Sequence, residues 1–251
     1  MCGILAVWDP YVEFKNVLKN AVLDLKHRGP DSQKSINLKD NKLFLAHTRL
    51  KIIDVSDDAN QPFISPCGRW ILIFNGEIYN FKSLKTKIGD RWTWKTRSDT
   101  EVLLASWTLW GKDCLNKLIG MFAFVILDNK TSKLILVRDR FGIKPLYKLI
   151  KKDFMAFSSE IPPLLRFQKK ICANNNVIRN YLENGHYDHS DQTFFSGINS
   201  IQPGTVTEIN FLHNTEKTER WYDISKNFKI NQNLSEDEVI FETNRLISEA
   251  V

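Results

Sequence analysis

Three pairs of short apolar stretches, each split by a brief polar interruption, set what this chain can fold into. Residues 121–127 and 133–138 flank Asp128-Asn129-Lys130, residues 145–150 and 153–158 flank Lys151-Lys152, and residues 204–211 and 217–222 make the third pair. Apolar runs of this length around polar breaks read as strands joined in hairpins, and hairpins build antiparallel sheets. Three more strands are expected. Residues 2–8 (CGILAVW) are apolar and end at Asp9-Pro10, residues 43–50 (LFLAHTRL) alternate, and residues 70–74 (WILIF) are stopped by Asn75-Gly76. Helical spacing of Phe14, Val17, Leu18, Val22 and Leu25 predicts a helix over 13–27. A second is predicted over 99–110 with Ser98 as its cap, and a third over 175–184. Many strands with a few helices between them make an α+β protein with antiparallel sheets. The exact topology does not follow from this pattern.

The 251 residues suit one large domain or two modest ones. A net charge of +6 raises the question of a nucleic-acid partner. The basic residues are scattered among acids, so the reading is a mildly basic protein with no nucleic acid to bind. No apolar run approaches the length of about 20 residues that spans a bilayer. Cys2, Cys67, Cys114 and Cys172 include no C-x-x-C pair, so no metal site is expected. Few cysteines and no signal peptide point to the reducing cytoplasm.

Residues 223–233 (DISKNFKINQN) are polar and read as a linker. Ser235 and Glu238 have the spacing of a capping box, and an amphipathic helix is predicted from there to Val251.

Cys2 is the residue on which a chemical reading turns. If Met1 is removed, Cys2 carries a thiol and a free α-amine. Such an amine has a pKa of about 7.7–8.0, so it can take the thiol proton without help from a histidine. The simpler reading is a small residue opening a buried strand. Asn75-Gly76 could offer a side-chain amide and a backbone N–H to an oxyanion. The competing reading is a hairpin turn, for which Asn-Gly is the strongest short signal. Arg49 would suit a carboxylate and Asp99 an ammonium, together the two charges of an α-amino acid. Spacing alone does not bring them together. No Gly-x-Ser-x-Gly elbow, His-Glu-x-x-His helix or Gly-rich phosphate loop is present.

Taken in order, Cys2-Gly3-Ile4, HRGPD at 27–31, LAHTRLKIIDV at 45–55, Gln61-Pro62, FNGEIYN at 74–80, RSDTEVLL at 97–104, GMFAF at 120–124, VRDRFGIKPLY at 137–147 and FSSE at 157–160 resemble the class II glutamine amidotransferase domain of asparagine synthetases. The resemblance covers most of residues 1–210, and as an ordered set these motifs are highly specific. It implies an N-terminal nucleophile (Ntn) hydrolase fold, a four-layer αββα sandwich of two antiparallel sheets. It also implies a glutaminase in which Cys2 is the nucleophile and Asn75 and Gly76 form the oxyanion hole. Arg49 would hold the carboxylate of L-glutamine, Glu77 and Asp99 its amine, and Ile52 and Ile53 would line the pocket.

On the same grounds, residues 1–212 are expected to be the glutaminase domain, 213–234 a connection, and 235–251 the first helix of an asparagine synthetase domain that continues beyond the chain. That domain would use the ammonia, with ATP and Mg, to amidate aspartate. Its Ser-Gly-Gly-x-Asp-Ser loop is absent, so no cofactor is expected within these residues. A homodimer is left open. Two alternatives remain: another acceptor, such as a sugar acid in surface-polymer synthesis, or a silent binding domain like that of β-lactam synthetases, which have lost the cysteine.

Overall fold

A computed structural model describes all residues except 12, 40, 41, 187, 212, 214, 228–233 and 251, and for Ala250 the backbone only. The chain runs through β1 (Gly3–Trp8), α1 (Lys15–Leu23), β2 (Ser32–Leu38), β3 (Leu43–Arg49), β4 (Phe63–Ile64), β5 (Trp70–Ile78), α2 (Phe81–Ile88) and α3 (Asp99–Trp110). It continues through β6 (Gly120–Asp128), β7 (Lys133–Arg138), β8 (Tyr147–Lys151), β9 (Phe154–Ser158), α4 (Ile161–Leu165) and α5 (Asn175–Asn184). The last elements are β10 (Ile198–Ser200), β11 (Thr205–Asn210), β12 (Thr215–Arg220), α6 (Ile224–Asn227) and α7 (Glu236–Ala250).

Two six-stranded antiparallel sheets form, in the orders β10-β8-β9-β1-β3-β2 and β12-β11-β7-β6-β5-β4. Strand alternation assigns each side chain to a face. From the first sheet, Ile4 and Ala6 of β1 and Leu43 and Leu45 of β3 meet Ile71, Ile73, Ala123 and Val125 of the second. The opposite faces carry helices. Val22 of α1, Leu25 just beyond it and Leu164 of α4 pack with Leu5, Val7 and Ala46 on the first sheet. Leu84 and Ile88 of α2, with Val102 and Leu103 of α3, pack against Leu72, Phe74 and Phe122 on the second. This is the four-layer αββα sandwich that the resemblance implied.

Both helices predicted over 99–110 and 175–184 form at those bounds. The Ser98 hydroxyl accepts the N–H of Glu101 (3.3 Å), satisfying one of the donors a helix start leaves open. The Ser235–Glu238 capping box is closed, with Ser235 N–H and hydroxyl each 2.9 Å from the Glu238 carboxylate.

One expectation is overturned. Asn75-Gly76 does not stop the strand: β5 continues to Ile78, with Asn75 opposite Ala123 and Gly76 opposite Phe122. A turn signal yields here to a partner strand that pairs through it. The second sheet also runs on through β12, inside the segment assigned to the connection 213–234. The linker residues 228–233 and the boundary at Leu212 lie outside the described residues.

Candidate active site

Residues two apart on a strand share a face, so the inter-sheet rows can be followed to their ends. Ile4 leads back to Cys2, Leu45 leads on through His47 to Arg49, and Ile73 leads on through Asn75 to Glu77. The apolar filling therefore stops at one end of the sandwich and polar side chains take its place. A cavity of about 150 Å³ opens there, and Cys2, Arg49, Ile52, Ile53, Asn75, Gly76, Glu77 and Asp99 all line it. Every residue singled out from the sequence is brought to one place.

The motifs explain how. Arg28 donates from Nε to the Cys2 carbonyl (2.9 Å) and from Nη1 to Glu160 (2.8 Å). A Cβ on Gly29 would lie 2.2 Å from the backbone carbonyl carbon of Thr48, so only glycine lets this segment cross β3. Asp31 accepts the N–H of Lys51 (2.8 Å) and fixes the start of the loop that follows Arg49. Ser159 closes the other side of β1 through its hydroxyl and N–H, each 3.1 Å from Ile4. The carboxylate of Asp139 accepts four N–H groups, those of Phe122, Phe141, Ile143 and Lys144, at 2.9–3.1 Å.

The edge of β5 supplies the polar geometry. β4 pairs with Ile71 and Leu72, and beyond Leu72 this edge has no neighbouring strand among the described residues. Phe122 exchanges hydrogen bonds with Asp139, N–H to Oδ2 (3.1 Å) and C=O to N–H (2.8 Å). Phe122 therefore faces away from Gly76, and Gly76 must turn its own N–H and C=O to the open edge. Side chains satisfy the positions on either side. The Phe74 N–H donates to Gln61 Oε1 (2.6 Å), the Phe74 carbonyl bonds His47 Nε2 (3.0 Å), and the Ile78 N–H donates to Asp99 Oδ2 (3.0 Å). Among the described residues, Gly76 N–H has no such partner. A Cβ on Gly76 would meet the Met121 carbonyl oxygen at 2.3 Å, so the glycine is required by the approach of β6.

Asn75 is 1% exposed, and among the described residues neither its Oδ1 nor its Nδ2 has a hydrogen-bond partner. A buried amide left bare costs about 1–3 kcal/mol, and such groups call for an explanation. Here a bare amide and an outward N–H lie together at the wall of a cavity that holds a thiol.

Burial pushes the Cys2 thiol up, with Asp99 adding to that and Arg49 opposing it. The thiol therefore needs a base. His47 cannot serve: burial drives its pKa down to about 3. Asp99 sits at the start of α3, and burial raises its carboxyl to about 6, with Glu77 adding to the effect and the Ile78 N–H opposing it. An incoming cation would favour the ionised form.

Arg49 has a second role beside the one the resemblance implied. It is 6% exposed, and its guanidinium already holds the following loop through the carbonyls of Asp54 and Ser56 and through Asn60 Oδ1. Those bonds use three of the five N–H groups of an arginine. Two remain for a carboxylate.

Gln61 and Lys144 are among the lining residues that went unassigned in the sequence. Gln61 is buried and lines the cavity, yet had entered only as part of a motif. Lys144 also lines it, and burial lowers its ammonium. Leu45, two residues before His47 on an alternating strand, was a signal that its ring points inward. No comparable local signal marks Lys144. Among the described residues no cluster of metal-ligating side chains occurs, and no helix is long and apolar enough to cross a membrane.

Residues 1–222 match the glutamine amidotransferase domain family. The chain is 32% identical over 246 residues to glutamine-hydrolysing asparagine synthetase 2 of Bacillus subtilis, covering 94% of this chain and 32% of that protein. It is 31% identical over 233 residues to amidase chry2 of Gibberella zeae, covering 91% of this chain and 34% of that protein. It thus spans about a third of the length of these curated relatives. A solved structure, the glutamine phosphoribosylpyrophosphate amidotransferase of B. subtilis, shares the fold with a TM-score of 0.61 at 21% identity, covering 88% of this chain and 49% of that one. With a family match running through both sheets, the chain belongs to the glutamine amidotransferase domain family.

Proposed function

We propose that this domain hydrolyses L-glutamine to glutamate and ammonia, with Cys2 as nucleophile once Met1 is removed. The observation that carries the reading is the bare, buried amide of Asn75 beside an outward Gly76 N–H, in the cavity that holds the thiol. Among the described residues nothing uses these groups, and a developing oxyanion would.

The Cys2 amine takes the thiol proton and the sulfur attacks the side-chain amide carbon of glutamine. The oxyanion forms between Asn75 Nδ2 and Gly76 N–H. When the intermediate collapses, the proton held by the amine goes to the leaving nitrogen and ammonia departs. Water then attacks the thioester and releases glutamate, returning the thiol. Arg49 receives the substrate carboxylate through its two remaining N–H groups. Asp99 and Glu77 receive the ammonium, and Ile52 and Ile53 close the pocket.

The names of the relatives support the rest. In a longer protein the ammonia would pass to a synthetase domain that uses ATP and Mg to amidate aspartate, in the cytoplasm, where four free cysteines stay reduced. A second acceptor is favoured by one observation: the G. zeae relative, named an amidase, is nearly as similar as the asparagine synthetase. The chain would then serve another carboxylate.

The test is glutamate release from glutamine by the wild-type protein and by Cys2→Ala, with mass spectrometry of the amino terminus. Expected are a free Cys2 amine and loss of all activity in the variant. Full activity in Cys2→Ala, or a retained Met1 on active protein, would sink the assignment.

A further inference from the structure

His47 is a buried titratable side chain at the polar end of the inter-sheet layer, and the proposed reaction assigns it no contact with substrate. It is 1% exposed and lies on β3, while its Nε2 bonds the Phe74 carbonyl of β5 in the other sheet (3.0 Å). It joins the sheet that carries Cys2 to the sheet that carries Asn75 and Gly76. The ring is neutral, because burial drives its pKa down to about 3, and a neutral imidazole has one N–H to give. With an acceptor at Nε2, that proton is on Nε2.

Gln61 completes the grip. It is 4% exposed, its Oε1 accepts the Phe74 N–H (2.6 Å), and its Nε2 is held by the Thr100 hydroxyl (3.3 Å). Phe74 is thus bound at both its N–H and its C=O, one residue before Asn75 and two before Gly76. β4 has ended by this point, so no strand ladder holds these groups. An open edge would otherwise let the peptide planes of Phe74 to Gly76 rock, and the direction of Gly76 N–H and the placement of Asn75 depend on those planes.

We propose that His47 and Gln61 are positioning residues that preset the oxyanion donors Asn75 and Gly76 by gripping Phe74 from both sides. The proposal rests on the glutaminase reading above. Neither residue touches the reacting atoms. The two act through the backbone, and the effect falls on the step in which charge builds on oxygen.

The experiment uses the intact protein as wild type, His47→Leu, His47→Gln and Gln61→Met. Four quantities are read: kcat and KM for glutamine, the rate of Cys2 alkylation by iodoacetamide, and inhibition by the γ-aldehyde of glutamate. The aldehyde adds the thiol S–H across its C=O, placing an oxygen where the oxyanion would sit. Alkylation needs the thiol and makes no oxyanion.

His47→Leu is expected to lower kcat by about 10- to 100-fold and to weaken aldehyde inhibition by a similar factor. KM and the alkylation rate should stay within about threefold. His47→Gln, whose amide can reach Phe74, should restore most of kcat, and Gln61→Met should behave like His47→Leu. If His47→Leu does not fold, His47→Asn, too short to reach Phe74, replaces it in the comparison with His47→Gln.

Active wild type with an unaffected kcat in His47→Leu overturns this proposal alone. So does a loss in which kcat, KM and alkylation all move together. A wild-type protein that releases no glutamate overturns the glutaminase reading, and this proposal with it.

Discussion

At one end of the layer between the sheets, Leu43, Leu127 and Leu134 are fully buried, and Trp8 stacks on Phe211 with ring centroids 5.4 Å apart. At the other end the same strands offer Cys2, Arg49 and Asn75 to a cavity. Backbone, register and alternation are shared along each strand, and only the chemistry of the inward side chain changes. The filled end stabilises: each buried leucine contributes on the order of 2 kcal/mol. The polar end opposes folding, since it buries a thiol, an unpartnered amide and a carboxyl whose ionisation is disfavoured. A packed apolar end and a costly polar end on common strands let the site be held in place by packing it does not itself provide.

The sharpest way to break this comparison is at Asn75. Asn75→Ala should lower kcat by about 10²–10³-fold with KM little changed, since the amide acts only on the oxyanion. Its melting temperature should not fall as a core truncation would, because the deleted groups had no partners. A variant that keeps kcat and melts early would mean that the amide is structural. Steady-state kinetics and thermal melts separate the two.

Leu127→Ala should do the reverse. Removing a fully buried leucine at the filled end costs about 2–5 kcal/mol, visible as a lower denaturant midpoint. Below the unfolding transition its kcat and KM for glutamine should match the wild type. A changed kcat would show that the two ends are mechanically coupled.

Asp99 sharpens the contrast further, because Glu101 lies two residues away on α3 and is also buried. Glu101 is fully employed by the Trp92 indole N–H, the backbone N–H of Lys95 and Thr96, and the Thr96 hydroxyl. Asp99 accepts the Ile78 N–H at Oδ2 and has its carboxyl raised from 3.8 to about 6. An acid whose pKa is raised on folding gives its favourable contribution below the unfolded value of 3.8, and that contribution is lost as pH rises through about 6. Asp99→Asn should therefore stabilise the domain by roughly 2–3 kcal/mol at pH 8, with the gain shrinking toward pH 4. It should also weaken glutamine binding. In the wild type, KM should rise about tenfold per unit as pH falls below 6, because protonated Asp99 no longer meets the substrate ammonium. Melts across pH, with KM measured at each point, check both signs. A flat KM between pH 5 and 8 would remove Asp99 from the binding site.

How much was legible follows from where each signal resides. The helix over 99–110 announced itself through a cap and a helical period, both local. The hairpins over 121–138 and 145–158 did so through runs and breaks. β2 was not read, because Ser32–Leu38 is a polar edge strand with little alternation. β5 was cut short at Phe74, since Asn-Gly is a turn signal in isolation and pairing with β6 overrides it. At the site, the residue types that match a thiol, an oxyanion and an amino acid's two charges could be named from the motifs. The grip of Arg49 on its loop could not, nor could the bonds of His47 and Gln61 to Phe74, because each partner belongs to a different element.

The sequence by itself therefore determined most of the strands, the caps and the set of reactive groups, since periods, turn residues and side-chain chemistry are properties of neighbouring residues. Only the tertiary structure decided that Cys2, Arg49, Asn75 and Asp99 share one cavity, that the Asn75 amide is bare, and that Gly76 turns its N–H outward. These facts depend on which strand lies opposite which, and on where β4 stops. They are properties of long-range pairing, which no local stretch of sequence encodes.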